Sequence, residues 1–356
     1  MHVLSLLRPQ TIGQILDRTV RLYRRNFWTF LGIVAIVQIP IMALSLLNVV
    51  STFGGIFAML QNPLAAPEVT LGNSVVMQLV SSLVSLASIF LTQFSTAALC
   101  LAVVHALFDK PISLTEAYRK MWNRWQSLSG MAVLLAVVAI MLSIAMLFGF
   151  LLILPGIMML GIIMFFSLVV TPLVVPVLML EDAGAWEAIQ RAWNLARRRL
   201  WPLVGLMTVN LLFVGAMVAG VQIVIFTIFG VVVADSMTSG DIVESGFLSA
   251  TAMTVAFSAL ASTFIAPIQQ GLATLAYVDL RVRNEGLDLA LATAELDASP
   301  LELLVVAPKQ RNERDLLMRS EFGRFLGLGF IPFGLILLYV AVVFLVTFAI
   351  AGLAGF

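Results

Sequence analysis

Lysine and arginine occur in only four segments of this chain, and long apolar runs separate those segments. The 20 basic residues divide among an N-terminal segment (Arg8, Arg18, Arg21, Arg24, Arg25), a second (Lys110, Arg119, Lys120, Arg124), a third (Arg191, Arg197, Arg198, Arg199) and a fourth (Arg281, Arg283, Lys309, Arg311, Arg314, Arg319, Arg324). Apolar runs lie at Phe27–Val50, Val75–Phe108, Leu128–Leu154, Gly156–Leu180, Leu203–Ala234, Phe247–Ala276 and Phe325–Leu353. A membrane-crossing helix needs about 20 such residues, and each run meets that length. Only 11% of the chain is charged and 61% is apolar, whereas soluble domains carry about 25% charge. So few charges cannot cover a water-soluble fold of 356 residues. The sequence predicts an all-α integral membrane protein with about seven transmembrane helices.

The basic segments alternate with loops that hold no Lys or Arg and carry Glu68, Asp235, Asp241 and Glu244 instead. Cytoplasmic loops collect basic residues, so the pattern predicts a cytoplasmic N-terminus, an external C-terminus and a place in the cell (inner or plasma) membrane. No cleavable signal peptide is expected, because the first apolar run follows an arginine-rich segment. The third and fourth runs meet at Pro155-Gly156, which predicts a tight turn there.

The first three basic segments share a layout. With Thr11, Ser113 and Gly184 as equivalent starts, Gln14, Glu116 and Glu187 follow three residues on, and Arg18, Lys120 and Arg191 seven residues on. Thr-x-x-Gln and Ser-x-x-Glu are capping boxes, and apolar residues recur at helical spacing behind them. Such a helix, rich in Arg and Trp and set before a span, belongs at the membrane interface. The chain therefore divides into a membrane domain over 1–283, built of three units (11–108, 113–180, 184–280), each an interfacial amphipathic helix plus a transmembrane hairpin. A cytoplasmic loop with a short helix at Leu287–Leu296 follows over 284–324, and a C-terminal span over 325–356.

The stretches Thr11-Ile12-Gly13-Gln14-Ile15-Leu16-Asp17 and Arg21-Leu22-Tyr23-Arg24-Arg25-Asn26-Phe27, the run from Glu187-Ala188-Ile189 to Arg191-Ala192-Trp193, and the segment Tyr277 to Gly286 resemble the membrane domain of the glycerophosphoryl diester phosphodiesterase family. The resemblance covers about residues 5 to 295. It implies the membrane part alone. The family's catalytic domain is a barrel of roughly 250 residues, and none of its catalytic positions maps onto this chain.

Chemistry-bearing residues are sparse. The chain has one cysteine, Cys100, and two histidines, His2 and His105. No metal site, cofactor, catalytic residue or nucleic-acid partner is expected, since no hydrolase, phosphate-loop or zinc motif occurs and the net charge is only +1. His105 and Asp109, four residues apart, are read as a pair at a helix end. Amides within the runs, among them Asn210, Gln269 and Gln270, either line a polar path or bond between helices. Pro40, Pro172, Pro176, Pro267 and Pro332 are expected to kink their helices. The basic residues Arg18, Arg24, Arg25, Lys120, Arg191, Arg197 and Arg198 are the candidate contacts for anionic lipid headgroups. The leading functional expectation is a non-catalytic module that organises membrane lipids or a protein partner at the cytoplasmic face. The alternative is a transporter or permease for a lipid-like or small uncharged substrate.

Overall fold

The computed structural model describes residues 9–61, 67–110, 112–149, 153–239, 243–287 and 321–334. Among them it is 92% helical and contains no strand. A short helix, α1 (Ile12–Arg25), leads into two long ones, α2 (Phe27–Gln61) and α3 (Pro67–Leu107). Next come α4 (Leu114–Trp122), α5 (Trp125–Gly149) and a compound return of α6 (Ile153–Phe165), a π turn (Phe166–Val170) and α7 (Thr171–Leu180). The third set is α8 (Ala185–Arg197), α9 (Leu200–Ser239) and α10 (Val243–Glu285). Residues 322–334 are helical as well.

Among the described residues six segments are long and apolar enough to cross a membrane, and the chain is a multi-pass membrane protein. The expected seventh run lies outside the described residues beyond position 334, and so does the expected helix Leu287–Leu296 after its first residue.

One proline departs from the sequence reading. Pro155 sits in the first turn of α6 rather than in the turn before it. A first-turn residue needs no intrahelical N–H partner, so proline fits there. Helices α2 and α10 run on through Pro40 and Pro267. Among the described residues a change of helical register falls just before Pro172. There the Thr171 hydroxyl donates to the Phe166 carbonyl at 3.0 Å, and the Thr171 N–H reaches the same oxygen. The wider turn re-satisfies carbonyls that a proline would otherwise strand.

The core lies at the basic end of the bundle. Residues 97–108 of α3 and its end, 173–181 at the end of α7, and 270–278 of α10 are buried on every side. Helices buried all round need neighbours all round, and α1, α4 and α8 supply them. Ala97, Ala98, Ala102 and Ala106 on α3, with Ala273 and Ala276 on α10, allow close helix approach. Away from this end the spans expose large apolar side chains such as Ile39, Leu83, Ile140, Leu212 and Ile223. At 1.5 Å per residue the 43 residues of α10 and the 41 of α3 run to about 65 and 60 Å. That is twice a hydrocarbon core of about 30 Å. Both exceed what a crossing needs, and their buried ends fall within the apolar stretches Leu79–Leu107 and Thr251–Glu285; with α1, α4 and α8 around them, these ends form a helical cap at the basic end of the bundle.

The 322–334 helix packs against α6 and α8. A Cβ on Gly161 of α6 would overlap the Phe325 carbonyl oxygen and lie 2.8 Å from the Gly329 nitrogen. A Cβ on Gly329 would overlap the Ile157 carbonyl in return. Phe325 fits between Phe165 and Trp193, with ring centroids 5.5 and 5.6 Å away. Overpacking a tight contact costs about 1–3 kcal/mol. Gly161→Val is expected to lower the melting temperature of the detergent-solubilised protein, as read by circular dichroism. Gly215→Val, at a glycine with nothing within 4 Å, is expected to leave it unchanged.

Candidate functional site

Three helix ends meet at the base of the cap, and each closes on a left-handed residue: Asp109 (φ 55°), Asp182 (φ 57°) and Gly286 (φ 64°). After α3, Lys110 N–H donates to the His105 carbonyl at 3.0 Å and Asp109 N–H to that of Ala106 at 3.2 Å, the paired bonds of a Schellman closure. Aspartate tolerates this conformation better than most residues, and here its carboxylate is used. Asp109 binds Arg25 at 2.5 Å, and Asp182 binds Arg124. Each arginine lies at or just past the end of a short helix, so each ion pair ties α1 or α4 to a returning span. Arg124 also donates to the Leu178 carbonyl at 2.8 Å, and its burial lowers its pKa.

The short helices are fixed at their starts too. Thr11 and Gln14 form the reciprocal capping box, with Thr11 N–H to Gln14 Oε1 at 2.9 Å and Gln14 N–H to Thr11 Oγ1 at 3.4 Å. Just ahead, Gln10 N–H donates to Asp279 Oδ1 at 2.8 Å, and Arg283 donates to the Gln10 carbonyl at 2.6 Å. Ser113 caps α4 through Glu116 N–H at 3.3 Å, but the Glu116 side chain turns to Lys120 at 3.0 Å, whose hydrogen bond holds the carboxyl below its usual pKa. The Tyr118 hydroxyl donates to the Ile33 carbonyl at 2.6 Å, and burial pushes its pKa up to about 12.

Between α7, α8 and α10 lies a buried charge cluster. Arg191 Nε donates to Glu181 Oε2 at 2.8 Å, and its Nη2 pairs with Glu285. The Tyr277 hydroxyl donates to Glu181 Oε1 at 2.8 Å and accepts from Arg281 Nη1 at 3.3 Å. Arg281 Nε donates to Glu285 Oε2 at 2.9 Å. Two guanidinium groups face two carboxylates, so the cluster is neutral as a set. Burial alone would lower the Arg191 pKa, but Glu181 and Glu285 outweigh it and hold the group above its ordinary value. Arg197, also buried, reaches Glu321 at 3.4 Å, which fastens the start of the C-terminal helix to α8.

These contacts redistribute the residues expected to meet lipid. Arg191 and Arg197 are buried at 5% and 2% exposure, so their charge is spent on carboxylates and neither guanidinium faces a headgroup. Lys120 also turns inward. Its ammonium donates to His105 Nε2 at 3.1 Å, which leaves Nδ1–H to donate to the Leu101 carbonyl at 2.8 Å. His105 is thus a neutral acceptor toward Lys120, and the expected His105–Asp109 pair does not form. Arg18 is half-buried, and burial and the nearby Arg21 lower its pKa against the pull of Asp109. Arg24, Arg25 and Arg198 are exposed. Of the amides, Gln269 is exposed, Gln270 is buried with its Nε2 lacking a partner, and Asn210 is half-buried. Adjacent helical residues point about 100° apart, which puts Gln269 on the outer side of α10 and Gln270 on its packed side.

The sequence reading missed Glu181, Tyr277, Arg281, Glu285 and Glu321. A signal was present. Tyr277, Arg281 and Glu285 recur at i, i+4, i+8, and Asp279 and Arg283 at i, i+4, which puts two polar ladders on the end of an apolar helix.

Among the described residues, no group of three His, Cys, Asp or Glu side chains is placed to hold a metal ion. The arrangement is suited to clamping helices and presenting charge. Removing one partner from a buried ion pair costs about 3–5 kcal/mol because the other charge is left bare. Glu181→Ala is expected to destabilise the detergent-solubilised protein by that amount in a chemical denaturation series. The Glu181→Ala/Arg191→Ala double variant should lose much less than the sum of the single losses. Arg24→Ala, on the exposed side, should stay within about 0.5 kcal/mol of the parent.

No family model matches this chain, and neither a curated protein nor a solved structure matches it.

Proposed function

We propose that this protein is a non-catalytic membrane module that gathers anionic lipid, and through it partner proteins, at its cytoplasmic face. The observation that carries the proposal is the placement of tryptophan. Trp28, Trp122, Trp125, Trp186 and Trp201 are exposed at 44–79%, and only Trp193 is buried. All five exposed rings lie in or beside α1, α4 and α8, alongside the exposed Arg21, Arg24, Arg25, Arg119 and Arg198. Trp at headgroup depth beside outward arginines is the composition of an interfacial belt.

On this reading α1, α4 and α8 are the interfacial helices of three repeated units, each followed by a hairpin, and the cap faces the cytoplasm. The N-terminus lies inside and the C-terminus outside a cell (inner or plasma) membrane. The likeness of residues 5 to 295 to the glycerophosphoryl diester phosphodiesterase membrane domain fits a module of this kind, without that family's catalytic part. A permease for a lipid-like or small uncharged substrate is the second reading, and the division of Gln269 and Gln270 between surface and core weighs against it.

A juxtamembrane basic residue is worth about 1 kcal/mol toward anionic lipid. Protein extracted from native membranes in polymer-bounded discs is expected to retain more anionic phospholipid than the bulk membrane. Arg24→Gln/Arg198→Gln should bring the retained lipid toward bulk composition without changing thermal stability. Parent protein that retains lipid at bulk composition would overturn the proposal.

A further inference from the structure

A cleft of about 430 Å³ opens between α2, α3 and α4, within the usual range of about 300–1,000 Å³ for ligand sites. Val37 from α2, Leu91 and Phe94 from α3, and Met121 and Trp122 from α4 make its walls apolar. Phe94 lies 6.4 Å from Trp122, which stacks on Trp125 at 6.3 Å, so an aromatic ledge closes one side. The hydroxyl of Tyr118, another wall residue, is already spent on the Ile33 carbonyl.

Arg119 is the one charged residue lining the cleft. It is exposed, and the carboxylates nearby in sequence are engaged elsewhere, Glu116 by Lys120 and Asp109 by Arg25. Its neighbours Lys120 and Arg124 turn to Glu116 and His105 and to Asp182, whereas Arg119 stands over an apolar slot beside the exposed Trp122. An apolar trough beneath one uncommitted guanidinium complements a molecule with a hydrocarbon tail and an anionic head. In a membrane protein the abundant molecule of that chemistry is a phospholipid.

We propose that this cleft is a specific phospholipid site: one acyl chain lies against Leu91, Phe94 and Trp122, and the headgroup phosphate pairs with Arg119. The inference rests on the lipid reading above and narrows it to one site. Guanidinium pairs with phosphate through two parallel hydrogen bonds, so the site favours an anionic headgroup whose phosphate carries no neighbouring ammonium.

The full chain, reconstituted in phosphatidylcholine vesicles, is photolabelled with a small fraction of phosphatidylglycerol carrying a diazirine on its acyl chain, or with phosphatidylcholine carrying the same group. Labelled residues are located by mass spectrometry. The anionic probe is expected to label the Leu91–Phe94 and Met121–Trp122 peptides about fivefold more than the zwitterionic probe, the factor one basic residue is worth near anionic lipid. Arg119→Gln should abolish that ratio, and Leu91→Trp, which fills the trough, should remove cleft label from both probes. Label spread evenly between the cleft and the exposed face of α5 at Val133 and Ile140 would overturn the site, as would a ratio unchanged in Arg119→Gln. If the cleft fails while Arg24→Gln/Arg198→Gln still sheds anionic lipid, the specific site is wrong and the general reading stands. If the parent also retains lipid at bulk composition, both are wrong.

Discussion

A guanidinium group is expensive to strip of water and cannot shed its proton at any ordinary pH, so each arginine in this chain has to end beside water, a phosphate or a carboxylate. That requirement organises the molecule. It draws the described basic residues to one end of the helix bundle, and the longest fully buried stretches of helix lie at that end. Arg191 and Arg281 are buried there because Glu181, Glu285 and Tyr277 meet them. Arg25 and Arg124 are held at the cap's margin by Asp109 and Asp182.

The buried ends of α3, α7 and α10 carry the small and polar residues that let helices close on one another, within stretches apolar enough to span. The short helices wrap these ends and leave all but one of the tryptophans, and several arginines, outside. Buried ion pairs and exposed aromatic and basic side chains are thereby divided between two faces of the same short elements. The 322–334 helix joins the assembly by a different route, through glycine-to-backbone contact with α6, a ring stack on Trp193 and the Arg197–Glu321 pair.

Much of this was legible in the sequence. Apolar run length predicted the long helices, and capping residues predicted the starts of α1 and α4 to the residue. The direction in which a charged side chain points was not legible, because it depends on which carboxylates the tertiary fold brings near. Arg191 and Arg198 look alike in a helical pattern, yet Glu181 and Glu285 draw the first inward and leave the second outside. Lys120 likewise turns to His105 rather than to solvent, and His105 is lost to Asp109 because Asp109 serves the helix closure and Arg25. Only Pro155 departs from its expected place, because the first turn of a helix accepts proline as readily as the turn before it; among the described residues Thr171 supplies a local repair just before Pro172.

The one-sidedness of the basic cap is tested most directly by accessibility in sealed cells. With Cys100→Ala removing the native thiol, single cysteines at Arg24, Arg119 and Arg198 would be exposed to a membrane-impermeant maleimide before and after the cells are opened. A cytoplasmic cap predicts that all three react only after opening. Reaction of any one of them from the outside of intact cells would contradict it.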